Sequence, residues 1–277
     1  MASKKSSVTL SSAVKQLIAS RGPPVSPAAG YNPASIRKVL DELQQKSPLS
    51  STSVLQTLAT GAFVTLNAPF ALQQLWQWTS RTPQDAELMR EAGLKCISFI
   101  GIAKVINNLG VLQGCFAQDG VHEKLNTSPR RNLRPEGVDT TFIRGRELWN
   151  SIYDPHSKKL IEKLATYHPD LPVHILESHY SLLLSDPAPA GPLGRTLTSV
   201  LAIACLQAQV GVGSQTTSHV FGLKKALLEA DGGSADHALE EKDRQWLCGD
   251  AGNEWILESI EMLRKAVHES GPPRAKL

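Results

Sequence analysis

Residues 193–231 read LGRTLTSVLAIACLQAQVGVGSQTTSHVFGLKKALLEAD, and the fold class rests on how this stretch divides. Arg195 to Gln209 is apolar on nearly every side, through Leu197, Val200, Leu201, Ala202, Ile203, Ala204, Cys205 and Leu206. A helix without a polar face belongs inside a bundle, where other helices cover it all round. Gly211 and Gly213 interrupt the run, since glycine favours turns and helix ends. Ser214 is then placed to cap a second helix by accepting from its free N–H groups. On that helix His219, Val220, Leu223, Ala226 and Leu227 recur at spacings that share a face, so His219 is expected to face its neighbours.

Working outward, the chain continues in helical periods. Pro172 to Leu184 reads as a helix ahead of the breaker-rich loop Asp186 to Pro192, and helices at Asp236 to Cys248 and Asn253 to His268 close the chain. Towards the N-terminus, Ser157 to Tyr167 and Thr140 to Tyr153 are helical, the latter with Asp139 as its N-cap. Asp85 to Cys115 is a long apolar stretch with a break expected near Asn107-Asn108 or Gly110. Val54 to Thr79 is bent at Gly61 or Pro69, and Ile36, Val39, Leu40 and Leu43 give a further amphipathic face. No alternating β-branched run demands a sheet. The expected architecture is all-α, with residues 1–32 a flexible Ser/Pro/Gly-rich segment holding one short helix at Ser11 to Ser20, and residues 33–270 a single domain.

A shift of 103 residues places Pro69 on Pro172, Leu72 on Ile175, Leu94 on Leu197, Ile97 on Val200, Ile100 on Ile203 and Gly101 on Ala204. This predicts two pseudo-repeated halves, about 50–116 and 139–230, joined by the polar connection Ala117 to Glu136. A cleft between such halves is the natural pocket.

Composition narrows the function classes. The chain has 277 residues, 41% of them hydrophobic, enough for a substantial core. No apolar run reaches the ~20 residues a membrane span needs. The formal charge is only +3, and the cluster Arg130-Arg131-Asn132-Leu133-Arg134 has no interleaved aromatics, so it reads as a solvated loop and no nucleic-acid partner is expected. Cys96, Cys115, Cys205 and Cys248 lie outside metal-ligand or CxxC spacing, and no phosphate-binding loop or Ser/His/Asp signature appears. No metal and no cofactor are therefore expected. The N-terminus lacks the apolar region of a secretory signal. The final residues Ala275, Lys276 and Leu277 differ from the Ser-Lys-Leu peroxisome address by a hydroxyl. Behind Pro272 and Pro273 they are expected to bind the import receptor and send the chain to the peroxisome matrix.

Leu193-Gly194-Arg195 with its apolar helix, the Ala208-to-Gln215 turn and Ser218-His219-Val220-Phe221-Gly222-Leu223 resemble the carboxymuconolactone decarboxylase family of the AhpD-like all-α superfamily. The first half, with Gly93 to Ile102 and Ile106-Asn107-Asn108, is similar to fungal, often peroxisome-addressed members. The likeness spans roughly residues 50–230 and implies an AhpD-like helical bundle that self-associates.

The resemblance implies two chemistries. The peroxidase branch needs Glu…CxxC…His, in which a thiolate attacks peroxide. Here Val212 and Gln215 stand seven and four residues before His219, and Cys205 is a lone thiol in an apolar helix, so a peroxide-handling protein would lack the pair. The decarboxylase branch needs no cysteine; it implies a histidine that protonates a dienolate as carbon dioxide leaves. His219 matches that proton donor, and Arg195 is placed to hold a carboxylate. The family usually carries a glutamate after that arginine, where this chain has Thr196. Glu177 and Tyr180, which share a helical face, together with Gln215, are the expected substrate-binding residues. The expectation is cofactor-free acid/base chemistry on a small carboxylated or lactone-like metabolite. The alternative is a ligand-binding or assembly protein that kept the fold and lost the chemistry.

Overall fold

The computed structural model describes residues 9–21, 32–187, 191–228 and 239–270. Among these the chain is helical and carries no strand. The helices are α1 (Ser12–Arg21), α2 (Pro33–Lys46), α3 (Ser53–Thr65), α4 (Pro69–Trp78), α5 (Pro83–Lys95), α6 (Ile97–Ile100), α7 (Ile102–Gln118), α8 (Val138–Tyr153), α9 (Ser157–Tyr167) and α10 (Asp170–His174). A π-helical stretch, Ile175–Leu184, leads on to α11 (Arg195–Gln209), α12 (Gly213–Lys225), α13 (Glu241–Cys248) and α14 (Asp250–Ser270). No helix among the described residues is long and apolar enough to cross a membrane.

The centre is α11, buried at every residue from Arg195 to Leu206 and again at Ala208. It packs on α3, α12, α14 and α6, and α3 is itself buried from Val54 to Thr65. The two central helices touch closely at Gly61, where a Cβ would stand 2.9 Å from Leu201 Cδ1 and 3.0 Å from Ala204 Cβ. Having no polar face, α11 and α3 gain stability only from this enclosure.

A second, smaller core joins α8 to the π-helical stretch through Trp149, Ile152, Leu176, Tyr180 and Leu184. Gly145 makes this contact possible: a Cβ there would meet Ser181 Oγ at 2.0 Å and Ser181 Cα at 2.4 Å. A backbone i→i−5 bond, Ser185 N–H to the Tyr180 carbonyl at 2.9 Å, closes the π-helix, and the Ser181 hydroxyl adds a side-chain bond to the Leu176 carbonyl at 2.7 Å. Phe99 packs against both cores and marks their seam.

Several boundaries differ from the expectation. The break in the first half falls at Gly101, at φ 79°, while α7 runs unbroken through Asn107 and Asn108. Asn108 sits within α7 with its side-chain amide nitrogen donating to the Lys104 carbonyl at 2.8 Å, while its buried Oδ1 has no hydrogen-bond partner. The 103-residue shift thus pairs the Gly101 kink with Ala204, in the middle of α11, about two helical turns before the kink that follows that helix. That later kink begins at Val210, at φ 64°, and continues through Gly211 at φ 80°. Val212 rather than Ser214 occupies the N-cap of α12, and Ser214 Oγ turns to the Gln215 side chain instead. Gly137, not Asp139, precedes α8, which leaves Asp139 in the first turn, where its charge suits the helix dipole. Ala275, Lys276 and Leu277 lie outside the described residues.

The arginine cluster is solvated only in part: Asn132, Leu133 and Arg134 are exposed, but Arg130 and Arg131 are not. Arg131 reaches inward to Glu91 and to Asp186, the latter at 3.2 Å, and Arg130 donates to the Pro187 carbonyl at 3.0 Å. Two carboxylates with buried side chains demand cations, and this loop supplies one.

Candidate functional site

His219 sits on α12 at the seam between the cores. Its ring meets Phe99 edge-on at a centroid distance of 5.8 Å and Tyr153 at 6.0 Å. Nε2 lies 3.3 Å from the Tyr153 hydroxyl, which in turn accepts from the Tyr180 hydroxyl at 3.2 Å. Nδ1 is buried and has no hydrogen-bond partner. Burial first, and the Arg195 charge second, hold the imidazole at a pKa of about 4. Burial likewise raises Tyr153, against the opposing Tyr180 bond and Arg195 charge, and raises Tyr180 well above the ordinary phenol value. At neutral pH the cluster is therefore uncharged: an imidazole and two phenols in a chain.

Arg195, at the first turn of α11, is 5% exposed and held on several sides. Its Nε donates to Ser151 Oγ at 2.8 Å, one terminal nitrogen to Ser199 Oγ at 2.5 Å, and the other to the Gly222 carbonyl at 2.8 Å and the Ser151 carbonyl at 3.2 Å. The guanidinium thereby ties α8, α11 and α12 together. It also lines a cleft of about 260 Å³ between α8 and the start of α11, with Arg144, Glu147, Ser151, Asp186 and Thr198. Arg144 and Ser151 stand two turns apart on one face of α8, a spacing from which they were readable as a pair.

A second cleft, of about 510 Å³, opens on the other side of α8 against α9 and α12, and Tyr153 forms part of its wall. His219 lines neither cleft. Both lie within the second half of the chain; a further cleft, of about 360 Å³, is lined from both expected halves, by Pro83, Asp85 and Leu88 on one side and Gly191 and Pro192 on the other.

The other expected site residues divide. Tyr180 joins His219 through Tyr153. Glu177 is exposed, because the wider π-helical turn separates it from Tyr180, with which an α-helix would align it. Gln215 is exposed in the first turn of α12 and accepts from Ser214 Oγ at 2.9 Å. Tyr153, the link between imidazole and cleft, was missed: it ends a helix with nothing in its spacing that points to residue 219. Among the described residues no group of three or more His, Cys, Asp or Glu side chains is arranged to hold a metal ion.

Cys205 does have a thiol beside it. Cys96, from the junction of α5 and α6, lies 3.5 Å away, sulfur to sulfur. Sequence spacing hides this pair, because 109 residues separate its members. Both are fully buried, and burial, with the Cys205 contact, pushes the Cys96 thiol well above its ordinary pKa. A thiolate is what attacks peroxide, so Cys96 is not poised to react, and Cys205 is enclosed where peroxide does not reach it. Peroxide treatment of the folded protein is expected to leave the count of free Cys96 and Cys205 thiols unchanged. Their loss before unfolding would revive the peroxide reading.

No family model matches this chain, and no curated protein matches it in sequence.

Proposed function

We propose that this chain is a carboxymuconolactone decarboxylase-like protein with an AhpD-like bundle of two related halves. In this reading it is a self-associating protein of the peroxisome matrix that binds a small carboxylated or lactone-like metabolite and does not turn it over by acid catalysis at neutral pH. The observation that carries this reading is the state of His219. A general acid works best with a pKa near the operating pH, and burial beside Arg195 keeps this imidazole deprotonated until about pH 4. The ligand's place is the cleft lined by Arg144 and Arg195, where the Arg144 guanidinium would meet a carboxylate and Arg195, whose fork is engaged by Ser151, Ser199 and Gly222, would add its charge against that of Glu147 and Asp186.

The test is calorimetric titration of the full chain with adipate and with a five-membered lactone carboxylate, followed by assay of both for consumption. Saturable binding is expected, weakened about tenfold in Arg144→Gln, with no consumption at pH 7. Absence of saturation would sink the binding reading.

One observation favours an enzyme instead: Tyr153, the middle member of the Tyr180–Tyr153–His219 chain, forms part of a cleft wall, a route for a proton between that cleft and the buried imidazole. Consumption of either compound that His219→Gln abolishes would establish that alternative. For the address, a tagged chain is expected in peroxisomes and should become cytosolic once Ala275 to Leu277 are removed. Self-association should appear in light scattering as a mass above the single-chain 30.0 kDa.

A further inference from the structure

The cleft between α8, α9 and α12 has a composition the reading above does not use. Its lining carries Lys159, Lys163 and Lys225 and no carboxylate, interleaved with Ile152, Leu160 and Phe221. Lys159 and Lys163 stand one turn apart on α9, so their ammonium groups share a face, an arrangement that disfavours an isolated helix. Neither makes an ion pair among the described residues. Lys225 is anchored at the rim, donating to the Ile152 carbonyl at 2.9 Å and to the Asp154 carbonyl at 2.7 Å. Beside these cations Phe221 is 61% exposed, a large apolar surface with no packing role in either core. The cleft volume of about 510 Å³ falls within the ~300–1,000 Å³ typical of small-molecule sites.

We propose that this cleft binds an amphipathic carboxylate, its charge on Lys159 and Lys163 and its apolar chain against Phe221, Leu160 and Ile152. A small inorganic anion would satisfy the lysines and leave Phe221 in water. A neutral hydrocarbon chain would cover Phe221 and leave the like charges of α9 uncompensated. Only a ligand carrying both features answers both halves of the lining. The inference stands independently of the Arg144 and Arg195 cleft, which lies across α8.

Calorimetric titration of the full chain with octanoate at low salt tests it. Saturable binding is expected, weakened about tenfold in Lys159→Gln/Lys163→Gln and weakened again by added salt. Phe221→Ser, also at the surface, should weaken octanoate but not inorganic phosphate. Phosphate and 1-octanol should each bind about tenfold more weakly than octanoate to the unaltered chain. Arg144→Gln should keep full octanoate affinity, which separates this site from the other cleft. Circular dichroism confirms that each variant is folded. Octanoate affinity unchanged in the double lysine variant, phosphate binding as tight as octanoate, or octanoate binding lost in Arg144→Gln would each overturn the proposal.

Discussion

Asp186→Ala is expected to lower the stability of the fold by about 3–5 kcal/mol, the cost of leaving a buried charge uncompensated. Asp186 is 4% exposed at its side chain and faces Lys95, 1% exposed, at 3.0 Å, and Arg131 at 3.2 Å. Lys95 also donates to the Leu193 carbonyl at 3.1 Å and Thr198 Oγ1 at 3.3 Å, which fixes it beneath the start of α11. Glu91 supplies the other carboxylate, at 4.0 Å from Lys95 and in contact with Arg131. Burial lowers the Lys95 pKa, with Asp186 and Glu91 opposing that shift. Burial pushes the Glu91 carboxyl upward, but the Arg131 bond and the neighbouring cations outweigh it and hold the group below its ordinary value.

Without Asp186, one carboxylate faces two cations in a site that water barely reaches. Against a total stability of ~5–15 kcal/mol that is a large fraction. Urea unfolding at pH 7 should show a lower midpoint with an unchanged slope. Asp186→Ala/Lys95→Met, which removes the stranded ammonium as well, should recover most of the loss. A single variant within about 1 kcal/mol of the parent would show that the network carries no such burden.

The second large effect is with pH. Native His219 stays neutral down to about 4, whereas in the unfolded chain an imidazole takes its proton near 6.5. Above pH 6.5 both states are neutral and the group contributes no pH dependence. As pH falls from 6.5 towards 4 only the unfolded chain binds the proton, so stability drops, by about 3 kcal/mol in all. Carboxylates such as Glu91, held low in the fold, add their own loss as pH falls through their native values. The histidine share is isolated by His219→Gln, whose stability should fall about 3 kcal/mol less over the same window. Ring-proton resonances of His219 should titrate near 4. A midpoint near 6.5, or parallel acid profiles for variant and parent, would place the imidazole in a wetter setting than the one between Phe99 and Tyr153.

The burial of α11 was readable because a helix apolar on all sides has only one stable environment. The helix Ser157–Tyr167 was readable from its breakers, and burial of His219 from its spacing to Leu223 and Ala226. The kink at Gly101 was not, because Asn107-Asn108 and Gly110 offered equally plausible breaks, whereas the Asn108 amide nitrogen bonds along the helix instead of ending it. Glu177 was misaligned with Tyr180 because a π-turn leaves no periodic mark in ten residues. Arg131 looked solvated because its partners, Glu91 and Asp186, lie 40 and 55 residues away.

The sequence by itself determined that this protein is a helical bundle, where its most buried helix runs, and that one histidine turns inward. Those are properties of short-range periodicity and of the hydrophobic effect acting on one element at a time. Only the tertiary structure decided what that histidine meets: Tyr153 from one side, Phe99 from another, and a burial that, with the Arg195 charge behind it, holds the ring neutral. It alone also set the two thiols together, built the buried ion network and opened clefts on both sides of α8. Each of these joins residues far apart in the chain, and no spacing rule within one helix encodes which distant side chain will share its space.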